Sequence, residues 1–184
     1  MGKIKHRRLL PGADSLPLFT PPPPPGNGFW RKVYGEISCS QTYLLLSDYL
    51  VSLEHHYADG NTIPCLRLLY GDCKHCDTCR RTWAAYACGW DGNQREKVLI
   101  CLTENSVRNC PRLTSKTSLA GHTITIVRTK GHRRGPVRAS VSEGLAHNIE
   151  QRRVVTAERV RRHVLWMWGF CLDDGAELPA TDQT

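Results

Sequence analysis

Apolar residues fall into two kinds of pattern along this chain, and each predicts its own elements. Leu46, Leu50, Leu53 and Tyr57 recur at helical spacing, with Leu45 and Tyr49 beside them and Ser40 in a capping position. This predicts an amphipathic helix over 41–57, closed by Asp59-Gly60-Asn61. Ala157, Val160, Val164, Leu165 and Trp168 repeat the pattern and predict a second helix over 156–168, with Gly169 placed as its C-terminal cap. Shorter stretches read as strands. Residues 32–38 alternate, 97–103 follow the Asp91-Gly92 turn signal, and 122–128 are rich in β-branched residues with Ile124 and Ile126 on one face. Residues 136–141 complete a hairpin with that last strand, and Thr103-Glu104-Asn105-Ser106 predicts a helix of one or two turns that stops before Pro111.

These elements predict a small single α+β domain over 29–170, with a β-hairpin-rich core, two amphipathic helices and a cysteine-rich turn. Residues 1–28 hold a basic start and the run Pro21 to Pro25, whose residues have no amide hydrogen to give a sheet or helix. An extended disordered tail is expected there, with docking of a protein partner on Pro21 to Pro25 as a second reading. Residues 171–184 carry Asp173, Asp174, Glu177 and Asp182 among Gly175 and Pro179, an acidic tail with nothing to pack. No apolar run reaches the roughly 20 residues that cross a bilayer, and the basic N-terminus leads into no apolar signal segment. The expectation is a soluble intracellular protein of the cytoplasm or nucleus.

Charge narrows the partners. The 184-residue chain carries 25 Lys and Arg against 17 Asp and Glu, a formal net charge of +8. Between Arg128 and Arg162 ten Lys and Arg face only Glu143, Glu150 and Glu158, so this segment alone holds +7. The hairpin loop Arg128-Thr129-Lys130-Gly131-His132-Arg133-Arg134-Gly135 can lie along a phosphate backbone. Arg159, Arg162 and Trp166 are spaced by three and four, which would set an indole on the arginine side of the last helix for stacking on a base; burial of Trp166 in an apolar face is the alternative. The expected nucleic-acid-binding residues are therefore Arg128, Lys130, Arg133, Arg134, Arg159, Arg162 and Trp166, with DNA and RNA both open.

The strongest chemical signal is the run Cys73-Lys74-His75-Cys76-Asp77-Thr78-Cys79. Nine cysteines without an export signal belong in a reducing compartment, where thiols serve as metal ligands or buried apolar groups. A tight turn aims thiols two residues apart at one ion, and a tetrahedral zinc needs one more donor than this turn supplies. The expected ligands are Cys73, Cys76, Cys79 and Cys88, with Cys65 and then His75 as alternatives for the last place. The same spacing opens a ferredoxin loop, so an iron–sulfur cluster is the lesser alternative; the expected Cys-Pro continuation is replaced by Arg80-Arg81. Cys39, Cys101, Cys110 and Cys171 are expected in the core.

No catalytic constellation can be named. The His-x-Glu of zinc deaminases, the His-Glu-x-x-His of zinc proteases and the Gly-x-x-x-x-Gly-Lys phosphate loop are all missing. His55 and His56, on the expected helix, would point about 100° apart and share no ion. Both are expected at the surface. The sequence thus predicts a zinc-stabilised, non-enzymatic nucleic-acid-binding protein, with a protein-interaction adaptor as the alternative from another class.

Overall fold

Alternating burial, rather than helical burial, shapes most of this chain. The computed structural model describes residues 30–34, 39–58, 61–65, 67, 72–128, 137–143 and 154–168; the expected tails at 1–28 and 171–184 lie outside the described residues. Among the described residues are strands β1 (Arg31–Val33), β2 (Ser40–Leu45), β3 (Val51–Ala58), β4 (Asn61–Pro64), β5 (Arg81–Asp91), β6 (Glu96–Thr103), β7 (Thr123–Arg128) and β8 (Val137–Ser142), with helices α1 (Glu104–Arg108) and α2 (Ala157–Met167) and a short 3-10 helix at Pro111–Thr114. The strands form one sheet in the order β1-β6-β5-β2-β7-β8, with β3 beside β5 and β4 beside β3. Pairing is antiparallel except between β1 and β6.

The helix expected over 41–57 is replaced by β2 and β3. Tyr43 and Leu45 alternate inward on β2, the chain bends through Ser47, Asp48 and Tyr49, and Val51 and Leu53 alternate inward again on β3. Two period-two runs separated by a bend place apolar residues three and four apart and so imitate a helix. The bend has its own anchors. Cys88 N–H donates to Ser47 Oγ at 2.6 Å, Leu46 N–H to the Cys88 carbonyl at 2.8 Å, and Val155 N–H to the Leu46 carbonyl at 2.7 Å.

The other expected elements hold more closely, whereas Cys39, expected in the core, is exposed just before β2. Asp91 accepts from the amides of Asn93 and Gln94 at 2.9 and 3.1 Å, closing the β5–β6 turn. Thr103 caps α1 by accepting from Ser106 N–H, and Thr156 caps α2 by accepting from Arg159 N–H. Trp168 takes the C-cap place of α2, one residue before the Gly169 expected there. β7 and β8 pair from Thr123↔Ser142 to Arg128↔Val137. The strand expected over 32–38 is reduced to β1, with 35–38 outside the described residues.

Two cores result. One collects Tyr43, Leu45, Ala85, Ala87, Val98, Ile100, Leu102, Ile124 and Ile126 on one side of the sheet, closed by Val107 of α1 and Leu113. On the other side, Trp30, Leu46, Val51, Ala84, Tyr86, Cys88 and Leu99 meet Val160 and Val164 of α2. Burying a Val or Leu side chain contributes about 1.5–3 kcal/mol, so α2 is held by its apolar stripe rather than by the exposed Arg162–Glu158 ion pair.

His163 completes this second core. It is fully buried, its ring stacks on Trp30 with centroids 4.2 Å apart, and its Nε2 accepts from the Trp30 amide at 3.3 Å. Burial, aided by the Arg159 guanidinium, pushes its pKa from 6.5 down to about 4. Between those two values the unfolded chain binds a proton that the folded chain does not, so stability is full above about pH 6.5 and is lost as pH falls towards 4. The loss corresponds to roughly 3 kcal/mol at 1.36 kcal/mol per pKa unit. Urea midpoints across this window are expected to fall less steeply for His163→Gln than for the wild type; parallel pH profiles would show that His163 is not the responsible group.

Candidate metal centre

The β3–β4 hairpin builds one half of the site. Pairing of His56 with Ile63 and of His55 with Pro64 carries the chain directly to Cys65, whose amide donates to the Glu54 carbonyl at 3.0 Å. Successive strand residues point to opposite faces. His55 therefore reaches Thr82 Oγ1 at 2.9 Å, while His56 turns the other way and is fully buried. The expectation that both histidines lie at the surface is corrected for His56, because a strand and not a helix carries them.

The knuckle before β5 builds the other half. Cys76 N–H donates to the Cys73 carbonyl and Cys79 N–H to the His75 carbonyl, both at 2.9 Å, and Asp72 Oδ1 accepts from Cys73 N–H at 2.7 Å. These turns direct Cys73 and Cys76 towards His56 and Cys65. His56 Nε2 lies 3.5 Å from Cys73 Sγ and 3.7 Å from Cys76 Sγ, and Cys65 Sγ lies 3.6 Å from Cys76 Sγ. All four donor atoms fall within 4.8 Å of one another. Zinc-like bond lengths of about 2.3 Å to sulfur and 2.0–2.1 Å to nitrogen give tetrahedron edges of about 3.8 and 3.5 Å, so the observed separations suit one four-coordinate ion.

The imidazole is oriented for ligation. The Cys79 carbonyl lies 3.2 Å from His56 Nδ1 and accepts its proton, which leaves the Nε2 lone pair facing the thiols. Burial pushes the Cys65 thiol up to about 12, with the neighbouring Cys76 and Cys73 adding to the shift. An incoming cation displaces thiol protons here. The His/Cys cluster can hold a metal ion.

The structure brings together Cys73 and Cys76 of the expected set and leaves Cys79 and Cys88 outside the cluster. Cys79 Sγ sits 3.6 Å from Thr78 Oγ1, and its contribution to the centre is the carbonyl on His56. Cys88 is buried mid-strand in the second core, where burial pushes its thiol up to about 12. Cys65, an expected alternative, is in the cluster; His75 has its ring centroid 6.0 Å from that of His56 and is not. His56 was hidden by the helical misreading of its segment. Asp59-Gly60 marks a hairpin as readily as a helix end, and a hairpin there would have placed His56 beside Cys65.

Of the expected nucleic-acid-binding residues, Lys130, Arg133 and Arg134 lie outside the described residues. Arg128 ends β7 and donates through Nη2 to the Tyr34 carbonyl at 3.1 Å. Arg159 lies 5.9 Å from the Trp30 ring centroid, and Arg162 pairs with Glu158 at 3.0 Å. Trp166 is half-buried, its ring 5.7 Å from that of His163. No family model, curated protein or solved structure matches the chain.

His56→Ala and Cys65→Ser are expected to lower the metal bound per chain, measured by elemental analysis, well below that of the wild type. Cys88→Ser is expected to keep the metal and lose only packing stability. Metal retained in the first two variants and lost in the third would refute this ligand set.

Proposed function

We propose that the chain is a zinc-stabilised, non-enzymatic nucleic-acid-binding protein whose phosphate contacts centre on the loop between β7 and β8. Three thiols and one imidazole at tetrahedral spacing suit zinc, and closed sets of this kind are structural. Four donors converging on one point also favour a single ion over an iron–sulfur cluster, for which Cys79 would be needed.

The observation that carries the nucleic-acid reading is where the charge lies. Arg128 pairs with Val137, so Lys130, Arg133 and Arg134 belong to the connection between two hydrogen-bonded strands. Connectivity adds to it. Counting the bent β2–β3 ribbon as one strand, the path runs ribbon, β5, β6, short helix, β7, β8, with the ribbon paired to both β5 and β7 and with β6 in contact with β8. This is the connectivity of an OB-type Greek-key barrel, an architecture that uses its loops and a sheet face to bind oligonucleotides or oligosaccharides. Fold-level analogy supports the reading without carrying it. The net charge of +8 favours the polyanion over the neutral sugar.

Affinity for nucleic acid is expected to fall steeply with salt. Replacing Arg133 and Arg134 with alanine is expected to flatten the log-affinity against log-salt slope by about one to two units, since each lost phosphate contact removes about 0.9 on duplex or 0.7 on a single strand. Fluorescence anisotropy titrations over a range of salt concentrations measure this. An unchanged slope would remove the loop from the interface, and no binding at low salt would overturn the function.

A further inference from the structure

One side of the sheet is largely covered, because α2 and Trp30 pack on Tyr86, Cys88 and Leu99. On β1, Val33 points into the first core, so Lys32 lies on the opposite face, the one that carries α2. Tyr34 follows with 49 % of its surface exposed, large for an aromatic ring beside two buried cores. The Lys32 ammonium lies 5.1 Å from the Tyr34 ring centroid and 5.7 Å from that of Tyr86. Arg128, at the root of the basic loop, donates to the Tyr34 carbonyl at 3.1 Å.

An exposed ring flanked by two cations has a specific complement. A base stacks on the ring whatever its identity, and the phosphates on either side of that base come within reach of the cations. A duplex keeps its bases stacked on one another and offers none to the ring. We propose that Tyr34, Lys32 and Arg128 form a stacking and phosphate-binding platform for single-stranded nucleic acid, on the strand β1 that is added to the edge of the sheet. The platform rests on the nucleic-acid-binding reading above and specifies its strand form and place of contact.

The test titrates the full chain with labelled oligothymidylate and oligouridylate of about 20 nucleotides, longer than the ~4–16 nucleotides that one such domain covers, and with a duplex of equal length. Tyr34→Ala is expected to weaken binding of at least one single strand roughly ten- to one-hundredfold, and the strand that loses more identifies the ligand as DNA or RNA. Tyr34→Phe is expected to retain binding, because the ring and not the hydroxyl is used. Lys32→Gln is expected to flatten the salt slope by about 0.7. Melting temperatures of all three variants are expected to stay near that of the wild type, so weakened binding reports contact rather than unfolding. Undiminished single-strand binding by Tyr34→Ala beside a binding wild type would overturn the platform and leave the proposed function standing. Duplex binding as tight as single-strand binding would also overturn the platform, whereas no binding by the wild type at low salt would remove the function and the platform together.

Discussion

Strand β5 is hydrogen-bonded along both edges, and the rest of the structure follows from that constraint. One edge pairs with β6 from Ala84↔Thr103 to Asp91↔Glu96; the other is shared by β3, against Arg81 to Tyr86, and β2, against Gly89 and Trp90. Two strands cannot occupy the same stretch of one edge, so the chain must bend between them, and Ser47 fills the bend with its hydroxyl on the Cys88 amide. The same bend receives Val155 and so fixes where α2 begins. Because Ala84 to Gly89 are all buried, β5 feeds alternate side chains to both cores and cannot shift register without exchanging them. Gly89 is part of this fit, since a Cβ there would meet Ile100 Cδ1 at 2.5 Å.

The metal centre extends this logic to a segment with little to bury. From Asp72 to Arg80 the chain has turns but no strand or helix, and its side chains are mostly polar. His56 and Cys73 are nevertheless nearly inaccessible, at 0 % and 3 % exposure. A cation held by the four donors would tie the β3–β4 hairpin to the start of β5. Metal affinity in such a site is folding free energy, because the four donors come together only when the strands pair.

The surface chemistry divides along the same framework. α2, with Arg162 in an ion pair and Arg159 over Trp30, spends much of its charge internally. Lys32, Tyr34 and Arg128 instead sit at the edge of the covered face, where the Arg128 guanidinium at the end of β7 donates to the Tyr34 carbonyl just after β1. Charge is therefore sorted by the fold into a part that packs and a part left beside an exposed ring. No helix among the described residues is long and apolar enough to cross a membrane.

By itself the sequence determined what short-range chemistry controls. The Asp91-Gly92 turn, the Thr103 cap, the β7–β8 hairpin, the extent of α2 and the turn holding Cys73 and Cys76 depend on residues a few positions apart, and each was legible. What failed was the segment 41–57, where two alternating runs with a bend between them carry the spacing of a helix. Nothing local separates the two patterns; the bend exists because β5 offers one edge to two strands, a relation spanning some forty residues. The expected ligand set differs from the observed cluster for the same reason. Cys79 and Cys88 are near the knuckle in sequence, but His56 and Cys65 are near it in space, and only strand pairing brings them there. Likewise Tyr34 and Arg128 are 94 residues apart, and their meeting was decided by β1 joining the sheet in parallel beside β6. Turns and caps are written in neighbouring residues, whereas which faces and side chains converge is fixed only when strands distant in sequence share hydrogen bonds.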